Sequence, residues 1–431
     1  MTQLSVPSTS AGLHAWLTYL EHLHHQAIDM GLDRVKQVAE QLNLLQPSAK
    51  VMTVAGTNGK GSTVRYLETI LRADGYQTGV YISPHLHRYN ERVRINGEQL
   101  SDAEHVAAFA AVEAARGDIS LTYFEFGTLA ALWLMQQRNL DVWVLEIGLG
   151  GRLDAVNIID ADVALLTSVG IDHVGFLGAD RTGIAREKAG IFRPHRPAIC
   201  GEPDLPAAVV EQAQAQQVQL QRVGYEFFYK PQDAQHWQFR NSEIQLLDLP
   251  LPQLPLPNAA TAVAALAALP LPVTLTAIKQ GLEQAREPGR LQFLAATAQR
   301  PADTLLDVAH NPHAAAYLVE VLRQRYPERP VLAVVGMLQD KDIAGTLATL
   351  KPLVAQWFFA DLSEPRGARA EQLQQQLPST ANVAGCFADV ASAYAAALAA
   401  ATPAPEGSNQ QQPLVLVCGS FYTVGKIADT E

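Results

Sequence analysis

The chain has 431 residues, of which 48% are hydrophobic and 17% charged, and its net charge is −11. Such a chain is long enough for two domains and too apolar to be disordered. The acidic balance argues against a general nucleic-acid binder, which needs a basic face. Cys200, Cys386 and Cys418 are scattered, with neither a disulfide framework nor a zinc spacing, which fits a cytoplasmic location. The N-terminus has no apolar signal core. The most apolar long stretch, Asn258 to Ile278, is broken by Pro270 and Pro272, so it predicts a buried helix and a turn rather than a membrane span.

In chain order, residues Gly12 to Leu45 alternate apolar and polar positions at helical spacing. Apolar runs at Val51–Ala55, Thr78–Ile82, Val142–Ile147 and Val163–Ser168 then predict strands, each followed by a turn and a helical pattern. This alternation predicts an α/β fold with a mostly parallel sheet covered on both faces. From Phe227 to Asp248 the pattern changes to short alternating strands, as in an antiparallel patch. The turn-rich stretch Arg286-Glu287-Pro288-Gly289-Arg290 is the expected boundary, giving a larger domain over 1–290 and a smaller one over 291–431. In the second, strands are expected at Thr304–Val308, Pro330–Val335, Trp357–Asp361 and Leu414–Cys418, with a helix at Pro312–Tyr326: a Rossmann-like α/β domain. Residues 403–413 are expected to form a surface loop.

The first strand leads into Gly56-Thr57-Asn58-Gly59-Lys60-Gly61-Ser62 and then a helical pattern. Strand, glycine loop and helix start together make a phosphate site, because loop N–H groups and the helix dipole both favour an anion. Lys60 can reach a β- or γ-phosphate. The serine comes one place later than in the standard phosphate loop, so any metal is expected to find ligands elsewhere. Glu146 ends a buried strand, Asp172 and His173 follow the next one, and Ser83 follows the strand after the phosphate-loop helix. Ser83, Glu146 and His173 can therefore converge on Mg²⁺, which prefers oxygen ligands and keeps several waters. Each residue alone also suits a structural role: a capping serine, a salt-bridged glutamate, a hydrogen-bonded histidine.

An ordered series of motifs runs through the chain: the glycine loop, Ser83-Pro84-His85-Leu86 with Tyr89-Asn90-Glu91-Arg92, and Glu146 through Gly150-Gly151-Arg152-Leu153-Asp154. It continues with Asp172-His173, Glu187-Lys188-Ala189-Gly190-Ile191, Gly289-Arg290 and Asp307-Val308-Ala309-His310-Asn311-Pro312. Together they resemble the folylpolyglutamate synthases, in particular the bacterial bifunctional dihydrofolate synthase/folylpolyglutamate synthase branch of the Mur-ligase-like amide-forming enzymes. In that family the late serine is usual. The resemblance implies a larger N-terminal P-loop ATPase-like domain and an ATP-dependent ligase. The enzyme would add L-glutamate to dihydropteroate, and to tetrahydrofolate and its polyglutamates, through an acyl phosphate.

It also implies roles. Gly56, Thr57, Asn58, Gly59, Lys60, Gly61 and Ser62 would hold ATP, with Asn258, Arg290 and Asp307. Ser83, Glu146 and His173 would hold one or two Mg²⁺ ions. Lys188 matches the lysine these enzymes carbamylate to N6-carboxylysine, and Lys60, His173 and Lys188 would be the catalytic group. Ala27, Ile28 and Asp29, Thr122, Tyr123, Phe124 and Glu125, and Leu153, Asp154 and Ala155 would form the pteroate site, while His310 would help place glutamate. Asn258 equally suits a helix cap, Lys188 a plain phosphate clamp, and Phe124 the core. A monomer with no nucleic-acid or membrane partner is expected. The alternatives are a monofunctional folylpolyglutamate synthase, a Mur ligase for UDP-linked substrates, and a nucleotide-binding regulator without ligase chemistry. The stretch of about 50 residues before the glycine loop is too short for a separate UDP-binding domain.

Overall fold

The computed structural model describes residues 5–401 and 411–428. Of the expected loop 403–413, residues 403–410 lie outside them. The chain divides into two compact units, Met1–Ala285 and Arg286–Glu431. The division falls at Ala285 rather than at residue 290, so Arg290 belongs to the second unit.

The first unit holds β1 (Lys50–Ala55), β2 (Thr78–Tyr81), β3 (Val93–Ile95), β4 (Glu98–Gln99), β5 (Val142–Glu146), β6 (Val163–Leu166), β7 (Pro197–Cys200) and β8 (Gln219–Arg222). They form one sheet in the order β4-β3-β2-β5-β1-β6-β7-β8. From β2 to β8 the pairs are parallel, and β3 and β4 add an antiparallel edge. Alternate residues of β1 face opposite ways: Val51 and Ala55 join one core, Met52 and Val54 the other. A strand buried on both faces needs the unbroken apolar run seen in the sequence.

The register places Val54 beside Glu146, Ala55 beside Leu166 and Tyr81 beside Leu145. The loops that follow β1, β2, β5 and β6 therefore leave the sheet at one edge, where open α/β sheets build their sites.

The helices of this unit are α1 (Gly12–Leu23), α2 (Asp33–Gln41), α3 (Lys60–Ala73), α4 (Asp102–Arg116), α5 (Tyr123–Gln136), α6 (Val174–Leu177), α7 (Arg181–Ala189), α8 (Ala207–Ala215), α9 (Leu256–Ala268) and α10 (Leu275–Gln284). The helical pattern expected from Gly12 to Leu45 is interrupted: residues 24–32 form neither helix nor strand. The antiparallel patch is the three-stranded sheet β9 (Phe228–Pro231), β10 (His236–Arg240) and β11 (Gln245–Pro250).

The second unit has β12 (Gln292–Leu294), β13 (Thr304–Asp307), β14 (Val331–Val335), β15 (Val354–Ala360), β16 (Val383–Phe387) and β17 (Leu414–Cys418), ordered β12-β13-β17-β14-β15-β16. All pairs are parallel except β12 with β13. The last strand thus enters the middle of the sheet, where all five of its residues are buried. The expected helix is α11 (Pro312–Arg325), capped by the Asn311 side chain.

Candidate active site

The glycine loop is stitched to the segment that follows β6. Thr57 N donates to Ser168 O at 2.9 Å, and Asn58 N donates to Ser168 Oγ at 3.0 Å. Thr167 Oγ1 donates to Asn58 O at 2.7 Å, and Thr57 Oγ1 accepts from Gly170 N at 2.9 Å. These bonds fix the loop relative to Asp172 and His173, only a few residues further on. Thr167, Ser168 and Gly170 were absent from the expected site because their contribution is long-range and leaves no local pattern.

Two glycines of the loop have steric reasons. Gly59 has φ +85°, and a Cβ there would lie 2.5 Å from Asn258 Oδ1. Gly56 likewise leaves room for the Thr167 side chain. Asn258 is not the cap of α9: Pro255 holds that position, and Asn258 lies in the first turn, buried, with its amide against Gly59. Lys60 Nζ donates to Gly56 O at 3.0 Å, and Ser62 is buried in the first turn of α3.

A cavity of about 290 Å³, open to solvent, lies beside this loop. Gly56, Thr57, Lys60, Ile147 to Gly150, Asp172, His173, Leu177 and Lys188 line it. His173 takes the left-handed conformation, with φ 52° and ψ 42°, at the start of the short helix α6. Lys188 is 5% exposed, and burial first, then the charge of Lys60, lowers its pKa to about 7. Helix α7 carries it, with Asp180 capping the start by accepting from Thr182 N and Gly183 N. Gly151 lets α7 dock: a Cβ there would stand 2.7 Å from Glu187 O and 2.8 Å from Lys188 O. Arg152 fastens the same joint, its NH2 group donating to Glu187 Oε1 at 2.9 Å.

Ser83 and Glu146 meet directly: Ser83 N donates to Glu146 Oε2 at 3.2 Å, and Glu146 is buried. The cavity wall includes His173 and Lys188 but neither Ser83 nor Glu146. Among the described residues no cluster of three His, Cys, Asp or Glu side chains could hold a metal by itself. The chemistry of the candidate set nevertheless suits Mg²⁺: a buried carboxylate at a strand end, a hydroxyl on the residue bonded to it, and an imidazole in the neighbouring loop.

Two of the three expected pteroate segments touch the loop 148–150, and the residue that follows the third lies against it. Phe124 packs on Gly148, where a Cβ would lie 2.5 Å from Phe124 Cζ. Its ring stacks on Tyr81 with centroids 6.2 Å apart. Asp154 Oδ2 accepts from Leu149 N at 2.8 Å and Oδ1 from Val156 N at 3.0 Å. Burial raises the Asp154 pKa to about 7. Leu153 and Ala155 flank it, half-buried and buried. Met30 Cε comes within 3.7 Å of where a Gly150 Cβ would be, and Ala27, Ile28 and Asp29 precede it in the chain.

Thr122 caps α5, and Glu125 closes a capping box by accepting from Thr122 N at 2.8 Å. Glu125 is thus committed to structure, while Tyr123 and Phe124 remain half-buried.

Within the second unit, Asp307 Oδ2 accepts from Leu291 N and Oδ1 from Ala309 N, each at 2.9 Å, and burial raises its pKa. His310 Nδ1 lies 2.8 Å from Val308 O. The Phe421 ring links the group: Arg290 Cζ is 5.1 Å from its centroid, and the His310 ring centroid 6.3 Å away. Phe421 was not expected. Its only sequence signal is its position just after Gly419-Ser420 at the end of β17.

Residues 54–268 match the Mur ligase middle domain and 289–421 the Mur ligase, glutamate ligase domain. The chain is 52% identical over 423 residues to the dihydrofolate synthase/folylpolyglutamate synthase of Escherichia coli (strain K12), covering 98% of this chain and 96% of that protein. The chain belongs to the dihydrofolate synthase/folylpolyglutamate synthase family. Its fold is that of E. coli FolC in complex with DHPP and ADP: 51% identity, TM-score 0.92, 98% of each chain covered. A bifunctional folylpolyglutamate synthase/dihydrofolate synthase with Mn, AMPPNP and L-glutamate bound is also 51% identical, at TM-score 0.89 over 99% of each chain. The fold is therefore the Mur ligase fold, which the motif series implied.

Proposed function

We propose that this protein is an ATP-dependent ligase that joins L-glutamate to dihydropteroate, and to tetrahydrofolate and its polyglutamates. The observation that carries this reading is the cavity shared by Lys60, His173 and Lys188 beside a stitched phosphate loop, in a chain half identical to bifunctional enzymes along its whole length.

In this mechanism residues 56–62 bind the ATP phosphates through loop N–H groups and the start of α3. Lys60 exchanges its bond to Gly56 O for the β- or γ-phosphate. The substrate carboxylate attacks the γ-phosphorus, ADP leaves, and an acyl phosphate forms. The amine of L-glutamate then attacks the acyl carbon, loses a proton, and inorganic phosphate departs. Ser83, Glu146 and His173 would hold Mg²⁺, which when bound neutralises phosphate charge. Lys188, buried and with lowered proton affinity, presents the neutral amine that carbamylation requires. As N6-carboxylysine it carries the negative charge suited to a cation site. Phe124 offers a flat apolar face to a pterin, and Asp154 a carboxyl group to ring N–H donors. Asn258, Arg290 and Asp307 take part in nucleotide binding, and His310 in placing glutamate.

No helix among the described residues is long and apolar enough to cross a membrane. With three free cysteines, a cytoplasmic monomer is the reading adopted.

The test is an assay of the purified chain with ATP, Mg²⁺ and L-glutamate, offering dihydropteroate and tetrahydrofolate separately. ADP release that needs glutamate and occurs with either pteroate supports the bifunctional reading. Release with tetrahydrofolate alone makes the enzyme monofunctional. ATP hydrolysis indifferent to both removes the ligase reading.

A further inference from the structure

The break between α1 and α2 is held in place by one side chain. Arg34, the second residue of α2, spreads its guanidinium over two elements. NH1 pairs with Asp29 Oδ2 at 2.7 Å, while NH2 donates to Asp29 O at 3.1 Å and to Glu125 Oε1 at 2.9 Å. His24 sits at the other end: its Nδ1 lies 2.7 Å from Ser120 Oγ, and its Nε2 is 3.3 Å from Asp29 Oδ2 without hydrogen-bond geometry. Between these anchors, Ala27 and Ile28 are exposed and lie in neither helix nor strand.

A segment with no regular structure holds its shape only through such tethers, and ordering it costs about 1–2 kcal/mol per residue. The tether here is strong for a partly exposed pair. The Glu125 side chain is 5% exposed and already fixed by the capping box of α5. A planar guanidinium spans a carboxylate, a second carboxylate and a carbonyl with donors fixed on two nitrogens, whereas lysine offers its three donors from one point.

We propose that Arg34 is the positioning residue of the pteroate site, clamping residues 27–30 to the start of α5 so that Asp29 and Met30 meet the heterocycle beside the loop 148–150. This rests on the reading of residues 27–29 as pteroate-binding. It gives Glu125 a role different from direct contact: its Oε1 anchors Arg34 while its Oε2 caps the helix that carries Phe124. One ion pair thus sets the spacing between the exposed segment and the aromatic residue that would lie across the bound ring.

The experiment compares Arg34→Ala, Arg34→Lys and Asp29→Ala in the full chain. It measures KM for dihydropteroate, KM for ATP, kcat and thermal stability. Arg34→Ala removes all three contacts and should raise the dihydropteroate KM by about tenfold or more, at least the worth of one charge-assisted hydrogen bond, with the ATP KM changed less than about twofold. Arg34→Lys should recover part of the loss. If Asp29→Ala raises the dihydropteroate KM and Arg34→Ala does not, the clamp is refuted while the pteroate reading stands. If neither changes it, residues 27–29 do not bind pteroate and both readings fall. Should Arg34→Ala not fold, Arg34→Lys decides: unchanged kinetics for both substrates overturns the clamp.

Discussion

Lys60 and Lys188 line the same cavity, and after burial the charge of Lys60 is the main cause that lowers the proton affinity of Lys188. Two cations in one small site repel each other, and the repulsion favours the neutral form of the second. A neutral lysine amine is the species that reacts with carbon dioxide, and the carbamate formed is an anion. Labelled bicarbonate should therefore give a carbamate signal that is present in the native chain and lost in Lys188→Ala. That variant should lose most ligase activity, and a small carboxylic acid should restore part of it. A native chain with full activity and no carbamate signal would leave Lys188 as a phosphate clamp.

Glu146→Gln keeps the shape and an oxygen for Ser83 N while removing the charge. Turnover should fall by several orders of magnitude, and thermal stability should stay near that of the native chain. Ligase activity close to native would remove Glu146 from the metal site.

Asp154 ties the loop 148–150 to the segment 153–156, and burial holds its pKa near 7 against an ordinary 3.8. Between those values the folded state keeps a proton that the unfolded chain has released. Stability from this group therefore falls as pH rises from about 3.8 to about 7. Asp154→Asn should flatten that part of the melting-temperature profile. Its cost should be about 1–3 kcal/mol at low pH, because its amide faces a backbone N–H, and should shrink as pH rises through that range. An unchanged pH slope would show that Asp154 titrates normally.

Gly59→Ala forces a side chain into left-handed φ and against Asn258 Oδ1. The strain of about 1–2 kcal/mol should fall on the phosphate loop rather than on the core. ATP affinity, read by calorimetry, should drop by more than the melting temperature alone accounts for. Native ATP affinity would detach the loop from nucleotide binding.

Arg290 lies over Phe421 and near Asp307 within the second unit. If it binds nucleotide, Arg290→Ala should weaken ATP binding by about 1.5–3 kcal/mol, as for a charge-assisted hydrogen bond. Phe421→Ala should weaken it less, since the ring only supports the guanidinium. Unchanged ATP affinity in Arg290→Ala would assign this arginine a structural role.

Much of this protein is written in local sequence. The apolar runs at Val51, Val142 and Val163 specify strands buried on both faces because period and composition act within a few residues. The glycine loop, the Thr122 cap and the Asn311 cap are local for the same reason. What only tertiary structure decided depends on residues far apart in the chain. The sheet order set Glu146 beside Val54 and Leu166 beside Ala55, bringing the ends of separate strands to one edge. Packing placed Asn258 against Gly59 rather than at a helix cap, and brought Phe421 near both Arg290 and His310. It brought Arg34 of α2 to the Glu125 carboxylate at the start of α5. Burial, which no single residue carries, set the proton affinities of Lys188 and Asp154, because desolvation depends on everything packed around a charge.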